Sequence, residues 1–184
     1  VFDFDNTLVR ESDYLFSAYD EIVNYIVQTH NVSGDDLLEY MKNALLSGER
    51  GSLFQRIRTQ FMLEGLILMP LLDILRNHKL SQKLKLFDEA QEILKECVRL
   101  NMKTGILTNG NPKQQRNKID QTDWNGMKPQ VKNIIYANDY EKKPSSLGLQ
   151  VLLDLMDLKE EMVLFIGDSE VDRQCAKALN VQFL

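Results

Sequence analysis

The order in which helical and extended patterns follow one another limits the fold of this chain more than any other feature. From residue 88 onward the two alternate. Apolar positions at helical spacing mark 88–100, 112–119, 146–156 and 171–179, and short apolar runs at 103–107, 131–136, 162–166 and 181–184 lie between them. Strands separated by helices pair in parallel through right-handed crossovers, so this part predicts a doubly wound α/β sheet. Val1-Phe2-Asp3-Phe4 reads as one more buried strand that opens into a loop at its polar end. Between that strand and the rest, the pattern is helical throughout. Tyr14-Leu15, Ala18-Tyr19, Ile22-Val23 and Ile26-Val27 recur at helical spacing, Ser33-Gly34-Asp35 is a start signal for 37–46, and further helical patterns cover 53–63 and 70–76. The organisation predicted is an α/β core of residues 1–11 and 80–184, with an all-helical domain of residues 12–79 inserted after the first strand.

Composition narrows the partners. The 184 residues, 43% of them hydrophobic, suit one sizeable domain with an insert. A net charge of -5 and scattered basic residues argue against nucleic acid and against an anionic membrane surface. The longest apolar run, Leu66 to Leu72, contains Pro70 and falls far short of the ~20 residues that cross a bilayer. Cys97 and Cys175 sit in helical patterns among apolar neighbours, as reduced core thiols of a cytoplasmic protein do. The chain starts at Val1 inside a strand pattern, so an upstream piece is expected.

In an open parallel sheet, ligands bind beyond the carboxyl ends of the strands. Those ends carry Asp3, Asp5 and Thr7; then Thr108, Asn109 and Gly110; then Lys142, Lys143 and Pro144; then Gly167, Asp168 and Ser169, with Asp172 one helical turn later. Each group alone is ordinary turn and cap chemistry. Four of them in order on four successive strand ends make a phosphoryl-transfer site. Asp3 and Asp5, two apart on an extended segment, project to the same side. Converging carboxylates at Asp3, Asp5 and Asp168 call for a divalent ion, and oxygen-only ligation favours Mg2+. Lys143, the Thr108 hydroxyl and backbone N–H groups near Asn109 suit the phosphate oxygens.

These residues resemble the four motifs of the haloacid dehalogenase superfamily: Asp3-Phe-Asp5-Asn-Thr7-Leu, Thr108-Asn-Gly, Lys143-Pro and Gly-Asp168-Ser-Glu-Val-Asp172. The likeness spans nearly the whole chain, and the insert after the first motif looks like the helical (type 1) cap of phosphoglycolate phosphatase-like members. It implies a Rossmann-like core and a phosphoric monoester hydrolase that uses magnesium. Asp3 is then the nucleophile that becomes aspartyl-phosphate, and Asp5 the general acid and base. Asp5 would meet the metal through its backbone carbonyl rather than its carboxylate. Thr108 and Asn109 would bind phosphate, Lys143 would steady nucleophile and phosphate, and Asp168 with Asp172 would complete the metal site. The haloalkanoate dehalogenases of this superfamily lack a carboxylate at the position of Asp5. Asn6 stands where many relatives carry Gly, and the second proline often found after the lysine is missing. Lys143 is chosen over Lys142 for its adjacency to Pro144.

The partner expected is a small phosphorylated metabolite, bound by a monomer or homodimer. Substrate choice is expected in the cap, where Arg50, Arg56 and Arg58 could reach an anion but read more simply as solvated surface charges. Tyr14, Phe16 and Tyr19 could line the cleft, but their helical spacing reads more simply as ordinary packing. His30 and His78 fall at helix ends, where capping or exposure accounts for them, and Trp124 falls in a polar loop. The rival readings are a phosphomutase of the same superfamily, a phospho-accepting receiver and a non-catalytic scaffold. A receiver carries its acceptor after the third strand and has no insert of this size.

Overall fold

The computed structural model describes residues 1–49, 51–128 and 131–184, and for Lys132 the backbone alone. Arg50 lies outside the described residues. They divide into two compact units, Ser12–Ser81 and Val1–Glu11 with Gln82–Leu184.

The smaller unit is built on α1 (Glu11–Val27), α2 (Gly34–Leu46), α3 (Leu53–Gln60) and α4 (Leu68–Asn77). The helical spacing of α1 buries Tyr14, Ala18, Ile22 and Ile26 on one face. Ser33 caps α2 by accepting a hydrogen bond from the Asp36 N–H, with Asp35 and Asp36 in the first turn where the helix dipole favours anions. α4 begins two residues ahead of Pro70, because a proline in the first turn forfeits no helical hydrogen bond. Leu37, Met41, Ile57 and Leu71 are fully buried. His78 departs from the sequence reading. It is buried, its Nε2 lies 2.7 Å from Ser17 Oγ and its Nδ1 2.5 Å from Glu21 Oε2, and the Tyr14 ring meets it edge-on. Two polar partners on one turn of α1 are what let an imidazole pack inside this unit.

The larger unit runs β1 (Leu84–Lys85), α5 (Asp88–Arg99), β2 (Thr104–Thr108), α6 (Pro112–Asp120), β3 (Thr122–Asp123), β4 (Val131–Tyr136), α7 (Leu147–Met156), β5 (Leu164–Phe165), α8 (Glu170–Ala178) and β6 (Gln182–Phe183). β2 pairs with β4 and β5 with β6, both in parallel. The first residues join the two pairs. Phe2 N–H donates to Gly105 O at 2.9 Å and Leu107 N–H to Phe2 O at 2.9 Å on one side; Asp3 N–H donates to Ile166 O at 2.8 Å and Ile166 N–H to Val1 O at 2.9 Å on the other. The hydrogen-bonded order is therefore β4, β2, residues 1–3, β5, β6, a Rossmann-like parallel arrangement with the N-terminal segment in the middle. That central place explains why Phe2, Phe4 and every residue of β2 are buried.

Three elements differ from the sequence reading. The run expected at 162–166 shortens to β5 because a 3₁₀ turn occupies Glu160–Met162. β1 and β3, a two-residue parallel pair joining Leu84 to Thr122 and Lys85 to Asp123, are too short to leave a periodic signal. Trp124 does lie in a loop, directly after β3, but it is buried there, and its Nε1–H donates to Ile119 O at 3.0 Å. α7 is apolar on most of its surface and lays Leu149, Leu152, Leu153 and Met156 into a core shared with Leu107, Ile135 and Phe165.

Candidate active site

Asp3 leaves the middle of the sheet at its carboxyl end and is only 6% exposed. The Lys143 ammonium donates to Asp3 Oδ1 at 2.6 Å and to Leu107 O at 3.0 Å, and stands 2.5 Å from Asp172 Oδ1. One buried cation thus lies between two buried carboxylates. Burial pushes the Asp3 carboxyl up to about 7; Lys143 pulls it down and Asp172 adds to the rise. For Lys143, burial works against the charged form, but Asp3 and Asp172 outweigh it and leave the ammonium raised above its ordinary value. Lys142 makes none of these contacts and is exposed.

The other strand ends are tied to this pair. Asn109 and Lys143 exchange hydrogen bonds, Lys143 N–H to Asn109 Oδ1 at 2.8 Å and Asn109 Nδ2–H to Lys143 O at 3.1 Å. The Asn109 side chain is therefore spent on holding the lysine loop, so what this residue offers an anion is its backbone. Thr108, 1% exposed, has its hydroxyl beside Gln115 at the head of α6. α6 itself starts cleanly: Asn111 accepts from the N–H groups of Lys113 and Gln114, and Pro112 occupies the first turn.

α8 begins with a capping box. Ser169 accepts from the Asp172 N–H at 3.2 Å, and Asp172 Oδ2 accepts in return from the Ser169 hydroxyl and, at 3.3 Å, from its N–H. The box fixes Asp172 while its other oxygen faces Lys143. Gly167 is what permits this: a Cβ there would meet Asp172 Cβ at 2.8 Å. Asp168 is exposed as a residue, but partial desolvation of its carboxyl raises it above the ordinary range, and the neighbouring Asp172 adds to the shift. Asp3, Asp168 and Asp172 each bring a carboxylate oxygen within 4.8 Å of the others. Like charges this close, all on oxygen donors and one side open to solvent, fit a hard divalent cation of the magnesium kind.

Asp5 does not join that cluster, contrary to the expectation that its carboxylate would converge with Asp3 and Asp168. The extended segment ends earlier, and a turn begins in which Asn6 adopts a left-handed conformation (φ 58°), accepting the Glu11 N–H on its side chain at 3.1 Å. Asn is among the few residues other than Gly that visit that conformation readily. The turn aims the Asp5 carboxylate at α6. Both of its oxygens lie 2.6 Å from Lys118 Nζ, and Oδ2 accepts from Gln115 Nε2 at 2.8 Å. Gln115 and Lys118, 2% and 1% exposed, are the site residues that the sequence reading missed. The available signal was their i, i+3 spacing on the helix that opens right after Thr108-Asn109-Gly110, which sets both on one face.

An apolar cavity of about 450 Å³ lies elsewhere, at the amino ends of the strands, lined by Val1, Thr104, Leu164 and residues of α5 such as Cys97. It is not where the polar groups meet. Among the described residues no helix is long and apolar enough to cross a membrane.

Comparison with known proteins bears on this arrangement. The profile of haloacid dehalogenase-like hydrolases matches residues 1–184. No curated protein matched the chain. Among solved structures, a HAD phosphatase from Thermococcus onnurineus is similar with TM-score 0.65 and 20% identity, over 99% of this chain and 82% of that one. A HAD-superfamily hydrolase from Ehrlichia chaffeensis is similar with TM-score 0.60 and 20% identity, over 100% of this chain and 88% of that one. An L-2-haloacid dehalogenase is similar with TM-score 0.61 and 16% identity, over 99% and 82%. Likeness at such identities carries the fold alone. With the profile spanning every residue, and acidic, hydroxyl and lysine groups at successive strand ends, the chain belongs to the haloacid dehalogenase-like hydrolases.

Proposed function

We propose that this hydrolase is a magnesium-dependent phosphatase acting on a small phosphorylated metabolite through an aspartyl-phosphate on Asp3. The observation that carries the reading is Asp5: a carboxylate two residues from the nucleophile, seated by Lys118 and Gln115 next to Thr108. A dehalogenase protonates no leaving alkoxide and has no use for it, whereas a phosphomonoesterase needs an acid and then a base there.

In the first step an Asp3 carboxylate oxygen attacks phosphorus, the bond from phosphorus to the ester oxygen breaks, and Asp5 gives that oxygen its proton. In the second a water attacks phosphorus, Asp5 takes the water's proton, and the bond to Asp3 breaks to release inorganic phosphate. Lys143, held by Asp3, Asp172 and Leu107 O, keeps the nucleophile in place and sets a positive charge beside the phosphoryl oxygens. The Thr108 hydroxyl supplies a further phosphate contact. Asp3, Asp168 and Asp172 would hold the metal, with the Asp5 carbonyl added by family resemblance. Bound there, a magnesium ion would offset the repulsion between anionic substrate and anionic nucleophile.

The test is phosphate release from a panel of small phosphomonoesters, with and without magnesium, by the native chain and by Asp3→Asn. Release that needs magnesium and vanishes in the variant supports the reading. Transfer without stoichiometric phosphate release would favour a mutase, and a folded protein inert to every ester would favour a scaffold.

A further inference from the structure

We propose that Lys118 and Gln115 are positioning residues for the acid–base carboxylate: together they hold Asp5 and link it to the phosphate-binding hydroxyl of Thr108. The inference rests on the phosphatase reading. Lysine is rarely sealed from water, because burying an ammonium is costly unless it is paired. Lys118 is nevertheless 1% exposed, and both oxygens of Asp5 lie 2.6 Å from its Nζ, with Glu11 Oε1 further off at 3.9 Å. Gripped through both oxygens when ionised, and through one when the other carries the proton that Asp5 donates, the group has little rotational freedom. It is preorganised.

Gln115 adds the link. Its Nε2 lies 2.8 Å from Asp5 Oδ2, 2.6 Å from Thr108 Oγ1 and 2.7 Å from Asn109 O. Those are three acceptors for an amide with two hydrogens. A strut that merely fastened α6 to the sheet would need neither the acid–base carboxylate nor the phosphate-binding threonine among its contacts. One face of α6, through residues i and i+3, thereby fixes the distance between the group that gives the leaving oxygen its proton and the group that holds the phosphoryl oxygens.

The leaving group separates positioning from support. The quantity kcat/KM reads the first phosphoryl transfer, in which an alkyl ester needs Asp5 to protonate its oxygen and a nitrophenyl ester, with its good leaving group, does not. For Lys118→Met, kcat/KM on alkyl phosphates is expected to fall about 100-fold, within the range of a lost acid–base contribution, and on nitrophenyl phosphate by only a few-fold. Lys118→Arg should recover much of the loss, and Gln115→Leu should show the same ester-dependent pattern more weakly. In an Asp5→Asn background, Lys118→Met should add little. Equal losses on both esters, or no loss on either in a folded variant, would overturn the inference while leaving the phosphatase reading intact. Should Lys118→Met fail to fold, the same comparison is made with Gln115→Leu and Lys118→Arg. Wild-type protein that releases phosphate from neither ester would overturn both.

Discussion

The two units bury different things. In the helical unit, Ser12–Ser81, the sealed side chains are Leu37, Met41, Ile57, Leu71 and their like, and His78 with its Ser17 and Glu21 partners is a polar exception. In the unit formed by Val1–Glu11 and Gln82–Leu184, buried charge is gathered: Asp3, Lys143 and Asp172 in one chain of contacts, Lys118 with Asp5 in another. Burying ions stabilises little and often costs stability, so the end of the sheet that collects them is where the chemistry is proposed. The helical unit obeys the ordinary rule of apolar interiors, and its substitutions should be felt in stability before anything else.

The strongest blow to that contrast is Lys143→Ala. It strands two carboxylates, and about 3–5 kcal/mol of stability should be lost, read as a lower urea midpoint. Magnesium should return part of that loss if the carboxylates take up the ion in its place. His78→Ala is the matching cut in the helical unit. Loss of the bonds to Ser17 and Glu21 should cost about 1–3 kcal/mol by the same measurement. If it abolished phosphate release from a folded protein, the division of labour drawn here would fail.

Acidity gives a finer test. The Asp3 carboxyl sits at about 7 in the folded chain against 3.8 ordinarily, so between those values the folded state holds more protons than the unfolded one. Stability attributable to Asp3 is therefore fully present below about 4 and is lost as pH rises through 7, with a slope of at most ~1.4 kcal/mol per pH unit. Metal-free wild type should lose stability relative to Asp3→Asn across that window. Magnesium, by favouring the ionised form, should flatten the difference. Identical pH slopes for the two proteins would contradict it. The smallest effect belongs to Arg58, exposed on α3, where Arg58→Ala should change the unfolding free energy by no more than ~0.5 kcal/mol.

Legibility in the sequence followed the length and regularity of each signal. Helices such as α1 and α7 repeat their apolar residues over several turns and stand out. The two-residue strands β1 and β3 do not. The runs at 1–4 and 162–166 were legible as strands, but β5 keeps only two residues of its run, and the central place of the N-terminal segment shows only in its hydrogen bonds to both neighbours. The motif residues were legible as types at strand ends, and Lys143 was separable from Lys142 through Pro144 alone. Side-chain aim was not legible. Alternation along a strand puts Asp3 and Asp5 on the same side, but the left-handed Asn6 turn sends Asp5 to α6. The i, i+3 spacing of Gln115 and Lys118 sets them on one face of α6, but nothing local shows that the lysine is sealed from water or which carboxylate it meets. The same holds for His78, whose burial depends on partners some sixty residues away in Ser17 and Glu21.

The central claim is that Asp3 carries the phosphoryl group between substrate and water. It is tested most directly by quenching the enzyme in acid during turnover of a phosphomonoester in magnesium, then mapping the modified peptide by mass spectrometry. The account predicts one acid-stable, hydroxylamine-sensitive phosphoryl group on the peptide that contains Asp3, absent from Asp3→Asn. Steady phosphate release with no adduct on that peptide, together with undiminished release by Asp3→Asn, would contradict it.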